Sequence, residues 1–119
     1  MKTAERFFAC RVDELPAGGR LLCEFDGRSV GVFNVAGEFF ALHNRCPHKG
    51  GALCLGPVTG TNVVSDDFRY VYAHEGRVIR CAWHGWEFEL ETGRALADPS
   101  VRAKTFRVVV EDGDVYVVM

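Results

Sequence analysis

The stretches CPHKGGAL (46–53) and CAWHGWEFELETG (81–93) decide how this sequence is interpreted. The first begins with Cys46 and His48 in a C-x-H pattern, and the second with Cys81 and His84 in a C-x-x-H pattern. Together they offer two thiolates and two imidazoles from separate segments. That donor set suits a [2Fe-2S] cluster in which histidines replace the cysteines on one iron. It also suits a structural zinc ion.

The spacing of the donors favours the cluster over zinc. Zinc ligand pairs usually stand two to four residues apart, and the C-x-H pair is tighter than that. A zinc site also gives no reason for the glycines and tryptophans that surround the four donors. We therefore expect a cluster, with a zinc-stabilised binding module as the less favoured alternative.

With both halves present, the chain resembles the Rieske family, and most closely its ferredoxins and the Rieske domains of ring-hydroxylating oxygenases. Both stretches look like Rieske loops that are followed by a strand and a turn. The resemblance implies a [2Fe-2S] cofactor with Cys46 and Cys81 on the inner iron. His48 and His84 would then bind the outer iron near the tip of the domain, where their second ring nitrogens meet solvent or a partner.

Size and charge narrow the remaining possibilities. A chain of 119 residues predicts one domain, 1–119, with one modest core. Its formal charge of −2 lacks the basic excess that nucleic-acid binding requires. No stretch approaches the roughly 18 apolar residues of a membrane span, and the charged segment 1–8 does not suit a signal peptide. We expect a soluble, cytoplasmic protein.

Alternating apolar and polar residues predict an all-β fold. Strands are expected at 8–12, 21–25, 29–35, 38–42, 105–110 and 115–118, and no segment has a helical stripe. Asp26-Gly27, Ala36-Gly37 and Asp112-Gly113 separate neighbouring strands in the manner of hairpin turns. The pattern and the resemblance together predict an antiparallel β-sandwich with a small cluster-binding subdomain at about 43–100.

Two differences from high-potential Rieske proteins predict a low reduction potential. Those proteins link their two loops by a disulfide, and the matching positions here are Gly51 and Trp83. They also place hydroxyl groups near the cluster at the positions of Trp86 and Phe88, whose side chains have none. Hydrogen bonds to cluster sulfur stabilise the reduced, more negative state, so their loss lowers the potential.

The segment between the two loops is about twice as long as in the simplest Rieske ferredoxins. We expect the extra residues, about 59–73, to lengthen a hairpin in which strands 68–73 and 77–80 flank a turn at His74-Glu75-Gly76-Arg77. This insertion is either a tolerated surface loop or a projection that selects a partner.

Other candidate residues are interpreted as structural. Cys10 and Cys23 are expected to pack as small hydrophobic residues on the strand faces that carry Phe8 and Phe25. Cys54, just past the first loop, is either a neighbour of the cluster or a packing residue, and packing is favoured. His43 and His74 are not arranged as a second iron site. The segment 98–100 is either a third loop over the cluster or a turn.

The sequence therefore predicts an electron carrier without catalytic residues of its own. The leading hypothesis is a ferredoxin that carries single electrons from an NAD(P)H-dependent flavin reductase to an oxygenase. The alternative is a small Rieske subunit of a multi-subunit oxidoreductase, such as one resembling the nitrite reductase small subunit.

Overall fold

The fold is built almost entirely of antiparallel strands in a computed structural model. The structure describes residues 5–47, 51–64, 70–81 and 86–119, without the side chains of 59–64 and 70–76. Its described strands are β1 (Arg6–Arg11), β2 (Arg20–Phe25), β3 (Arg28–Val35), β4 (Glu38–His43), β5 (Val58–Val64), β6 (Tyr70–Arg80), β7 (Glu87–Glu89), β8 (Thr105–Glu111) and β9 (Asp114–Val118). Two short 3₁₀ turns, Val12–Glu14 and Leu53–Leu55, are the helical elements of the described residues.

The strands form two sheets of different size. The larger has the order β1-β9-β8-β4-β3-β2, and the smaller has the order β5-β6-β7. Edge strands β1 and β2 approach each other, since the rings of Phe7 and Phe25 stack with centroids 5.3 Å apart. The larger sheet is therefore nearly closed around one core of apolar side chains: Cys10, Leu15, Val30, Val32, Ala41, Val115 and Val117. The predicted antiparallel all-β fold is confirmed.

The three predicted hairpin turns are also confirmed. Asp26, Ala36 and Asp112 have φ values of 52°, 51° and 52°, and the glycine after each of them also has a positive φ. Positive φ at both central residues is the signature of the type I′ turn, whose twist matches that of the flanking strands. Each turn therefore sets the register of its hairpin: β2–β3, β3–β4 and β8–β9.

The predicted face of the first strand is wrong. The alternation placed Phe8 beside Cys10 on the buried face, but Phe8 is 53% exposed while Cys10 is buried. A bulge between these two residues shifts the register against β9. Because a one-residue shift moves side chains to the other face, Phe7 points toward Phe25 in place of Phe8.

The predicted hairpin turn at 74–77 is wrong as well. β6 runs without interruption from Tyr70 to Arg80 and pairs with β5. The register steps from Thr59 opposite Val78 to Thr61 opposite Ala73, so residues 74–77 form a bulge inside the strand. Gly76, which suggested a turn, is accommodated by this bulge. The connection 65–69 lies outside the described residues.

The smaller sheet packs on a second apolar core. Ile79 in β6, Phe88 in β7 and the nearby Leu53 and Leu90 are all fully buried. This core contains Cys46 and Cys81, and it also includes Phe33 and Leu42 of the larger sheet and Ala103, so it extends beyond the predicted range 43–100. The limits of that subdomain stay a prediction. Across the described residues, no helix has the length and apolar character needed to cross a lipid bilayer.

Candidate metal centre

Cys46 begins the first of two loops that carry the predicted donors. It lies three residues after the end of β4 and is completely buried. Its backbone N–H donates a hydrogen bond of 2.7 Å to the carbonyl oxygen of Gly51, which closes the loop around 47–50. The loop is thus held by its backbone, and the cysteine side chain stands at its base.

Cys81 begins a second loop that is closed in the same way. It follows β6 directly, and its side chain is also buried. Its backbone N–H donates a hydrogen bond of 2.7 Å to the carbonyl oxygen of Trp86. In both loops the bond therefore joins the cysteine to the residue five positions later, so the two cysteines occupy equivalent places.

The two cysteines belong to one apolar core. Cys46, Cys81, Leu53, Ile79 and Phe88 are members of the same cluster of buried side chains. A thiolate taken out of water in such surroundings requires a compensating cation. Ferric iron is a strong acceptor for thiolates and supplies that charge. The chemistry and placement of these two donors therefore fit an iron–sulfur cluster.

The imidazole donors cannot be placed in the same way. His48 and His84 lie outside the described residues, as do Lys49 and Trp83. The two cysteines that precede these histidines in sequence belong to one core. The assignment of His48 and His84 as ligands stays a prediction.

Trp86 ends the second loop, and Phe88 lies two residues later in β7. Phe88 is fully buried, pairs with Ile79 across β6–β7 and shares the core of the two cysteines. Trp86 is half-buried, with its ring centroid 6.4 Å from that of Phe88. Neither side chain has a hydroxyl group. The low reduction potential stays a prediction that depends on the identity and position of these two residues.

The predicted packing role of Cys54 is confirmed. Its side chain is buried against Gly31, where an added Cβ would lie only 2.5 Å from the Cys54 Sγ atom. The thiol donates to the carbonyl oxygen of Leu42 at 3.5 Å. Burial raises the pKa of Cys54 to about 11, so the thiol is neutral at physiological pH.

Cys10 and Cys23 are packing residues too. Both are free thiols; Cys10 is buried in the core of the larger sheet, and Cys23 packs against that core. Burial raises the pKa of each, most of all by removing the thiolate from water. The expected packing on the apolar faces of β1 and β2 is therefore confirmed for both, apart from the Phe8 neighbour corrected above.

The remaining candidates are the segment 98–100, His43 and His74. Asp98 accepts hydrogen bonds from the backbone N–H and the hydroxyl of Ser100, so 98–100 forms an exposed turn. Those bonds lower the pKa of Asp98. His43 ends β4, and partial burial, followed by the charges of nearby basic residues, lowers its pKa. The side chain of His74 lies outside the description.

Two residues that sequence reasoning missed fix the ends of the loops. Asn44, two positions before Cys46, accepts a hydrogen bond of 2.8 Å from the Cys54 N–H and donates to the Ser29 hydroxyl at 3.1 Å. Gly56 packs so closely on the Arg80 carbonyl that any side chain would overlap it. The sequence holds no local signal for either role, because both depend on residues from other elements.

Comparison with known proteins agrees with this geometry. A family model described as the Rieske [2Fe-2S] domain matches residues 5–111. A 3-phenylpropionate/cinnamic acid dioxygenase ferredoxin subunit from Photorhabdus laumondii is 33% identical over 113 residues, which cover 94% of this chain and 92% of the relative. The protein of the same name from Escherichia coli K12 is 30% identical over the same coverage.

Solved structures of similar proteins share the fold. The ferredoxin of Sphingomonas yanoikuyae B1 superposes with a TM-score of 0.71 at 28% identity, covering 97% of this chain and 99% of that one. A chain in the complex of reduced oxygenase and oxidized ferredoxin in carbazole 1,9a-dioxygenase gives 0.72 at 25% identity, covering 94% and 91%. A structure named as an NADH-dependent nitrite reductase small subunit from Mycobacterium tuberculosis gives 0.74 at 22% identity, covering 99% and 97%, which shows the fold alone.

Proposed function

The chain belongs to the Rieske [2Fe-2S] domain family, and we propose that it is a ferredoxin that carries single electrons from an NAD(P)H-dependent flavin reductase to an oxygenase. The observation that carries the proposal is the pair of equivalent loops, each with a buried cysteine at its base, in a chain of only 119 residues. The family binds a [2Fe-2S] cluster, which gains or loses one electron at a time. Relatives across nearly the whole chain are named as dioxygenase ferredoxin subunits.

The proposed ligands divide into a buried pair and an outer pair. Cys46 and Cys81 would hold one iron from the core, and His48 and His84 would hold the other. Neutral imidazoles donate less charge than thiolates, so this ligand set raises the potential above that of an all-cysteine cluster. The absence of hydroxyl groups at Trp86 and Phe88 keeps the potential at the low end of the family, roughly −150 mV.

The proposed exit for the electron is the edge of the domain that carries the two histidines. Pro47 is exposed at the start of the first loop, and Leu55, in the turn after it, is 62% exposed although it is large and apolar. Together with Lys49 and Trp83, these residues form the proposed docking surface. Redox partners use small, weak interfaces, so one exposed leucine and one charge contribute measurably to the encounter.

The ligand assignment is tested by iron and acid-labile sulfide analysis of purified variants. Cys46→Ser, Cys81→Ser, His48→Ala and His84→Ala should each lose the assembled cluster. Cys54→Ala is the matched control, since Cys54 is a buried cysteine of the same core that is not a proposed ligand; it should retain iron and sulfide. Full cluster occupancy in His84→Ala would remove that histidine from the ligand set.

The second candidate is a permanent subunit of a larger oxidoreductase. It is kept because the fold is shared with proteins named as nitrite reductase small subunits. Purification from the native source distinguishes the two. A monomer that a flavin reductase reduces on its own supports the carrier, whereas a complex of fixed stoichiometry supports the subunit.

A further inference from the structure

The segment 53–57 lies between the two loops and is bonded to the chain just before each of them. It comprises the 3₁₀ turn Leu53–Leu55 and the two residues after it. On the side of the first loop, the Cys54 N–H donates to the side chain of Asn44 at 2.8 Å, two positions before Cys46. The 53–57 segment is therefore tied to the strand end from which the first loop departs.

The same segment is tied to the start of the second loop. The Arg80 N–H donates to the Pro57 carbonyl at 3.0 Å, and Gly56 packs directly against the Arg80 carbonyl. Gly56 has a φ of −72°, which any residue adopts, so glycine is required here for close approach. Arg80 immediately precedes Cys81, so a shift of the segment moves the second cysteine as well.

Arg20 fixes this segment to the larger sheet. Its Nη1 atom donates to the Cys54 carbonyl at 3.0 Å and to the Gly56 carbonyl at 2.5 Å. Its guanidinium carbon lies 5.5 Å from the centre of the Phe33 ring in β3. The last carbonyls of a helical turn have no partner within the turn and carry partial negative charge. One guanidinium group thus satisfies two acceptors that would otherwise be partly buried without a donor.

We propose that Arg20 and Asn44 are positioning residues of the metal centre, which hold the 53–57 segment as a non-covalent strut between the two cluster loops. The strut would link the two loops without a covalent bond, as the inter-loop disulfide expected of high-potential members does, in a chain that has Gly51 and Trp83 at the matching sequence positions. The inference rests on the proposed cluster site but not on the identity of the redox partner. Retention of iron in His84→Ala would count against the proposed ligand set, but it would not bear on the proposed strut.

The test follows cluster loss from the holoprotein. Arg20→Met keeps most of the side-chain packing but removes both hydrogen bonds and the charge. With an iron chelator in excess, its visible absorbance should bleach about thirtyfold faster than that of the native protein, the factor that corresponds to the loss of two ordinary hydrogen bonds. The visible circular dichroism of its cluster should also change, because the loops are no longer held at the same separation.

Two further arginine variants separate positioning from general stability. Arg6→Met is the matched control, since Arg6 makes an exposed ion pair with Glu111 on the larger sheet; its bleaching rate should stay within about twofold of native, as expected of a surface ion pair. Arg20→Lys keeps a cationic donor and should recover most of the native rate and spectrum. Equal bleaching rates for Arg20→Met and Arg6→Met would overturn the proposal.

Asn44 provides an independent measurement if Arg20→Met yields no holoprotein. Asn44→Ala removes the acceptor for the Cys54 N–H and should also speed cluster loss. A native rate of cluster loss in Asn44→Ala would show that Asn44 is not part of the strut.

Discussion

Phe88→Tyr is the most direct test of how this chain sets its reduction potential. Phe88 is fully buried in the core that contains Cys46 and Cys81. The resemblance described above implies that high-potential members of the family have a hydroxyl group at this position. A tyrosine hydroxyl that donates to a sulfur atom of the centre would stabilise the reduced, more negative state. The midpoint potential should therefore rise.

The size of the shift follows from the worth of one hydrogen bond. A net contribution of about 1 kcal/mol is typical, and a tenfold change in equilibrium corresponds to about 1.4 kcal/mol or about 59 mV for one electron. The expected rise is therefore about 40 mV. If the hydroxyl finds no acceptor, the variant instead loses about 1–3 kcal/mol of stability, the cost of an unsatisfied buried polar group.

Protein-film voltammetry and thermal unfolding together separate these outcomes. Phe88→Leu is the control, because it changes the packing of the same site without adding a hydroxyl; its potential should stay close to native while its stability falls. A midpoint in Phe88→Tyr equal to that of Phe88→Leu, with the cluster spectrum intact, would refute the reasoning from this position. A native midpoint above about +100 mV, in the upper part of the family range, would refute the low-potential argument as a whole.

Two other predictions concern pH and charge. Because the folded pKa of Cys54 is about 11 and its unfolded value is near 9, the buried neutral thiol stabilises the fold fully below about pH 9, and this contribution is lost as pH rises from about 9 to about 11. Cys54→Ala should lack this decline in the free energy of unfolding, which is roughly 2–3 kcal/mol. Its denaturation midpoints should therefore fall less between pH 8 and pH 11 than those of the native protein. Parallel curves for the two proteins would contradict the raised pKa of Cys54. Lys49→Glu should change the rate and the salt dependence of electron transfer to the partner without altering the cluster spectrum. Lys104→Glu is the control, since its ammonium lies over the Phe106 ring, and it should leave the rate and the salt dependence unchanged. Transfer that is insensitive to Lys49→Glu at all ionic strengths would mean that the docking surface lies elsewhere.

Local chemistry explains which features of the fold were predictable. The turns at 26–27, 36–37 and 112–113 were found because positive φ at two successive positions has a residue signature of its own. The two loops were found because each carries a cysteine and a histidine within three residues of each other, a spacing that is visible in the sequence itself. Neither inference needs knowledge of any distant part of the chain.

The features that were missed depend on partners from elsewhere in the chain. The bulge that buries Cys10 and exposes Phe8 is set by pairing with β9, which lies at the other end of the sequence. Arg20 bonds to carbonyls that lie 34 and 36 residues later. Arg20 is itself exposed, as the sequence would suggest for an arginine at the start of a strand. Its bonds to the 53–57 segment are evident only from the tertiary contact.

The β5–β6 pair has one end that leads into Cys81 and another that carries most of the 59–73 insertion. At one end, Ile79 pairs with both Val58 and Phe88 and is fully buried beside the cysteines. Beyond the bulge at 74–77, the paired residues 61–64 and 70–73 have only each other as strand partners within the described part of the chain. A change in the far end therefore alters no ladder that supports the loops, whereas a change at 78–80 acts directly on Cys81. If the 59–73 insertion selects a partner, this arrangement lets that contact change while the cysteine pair stays in place.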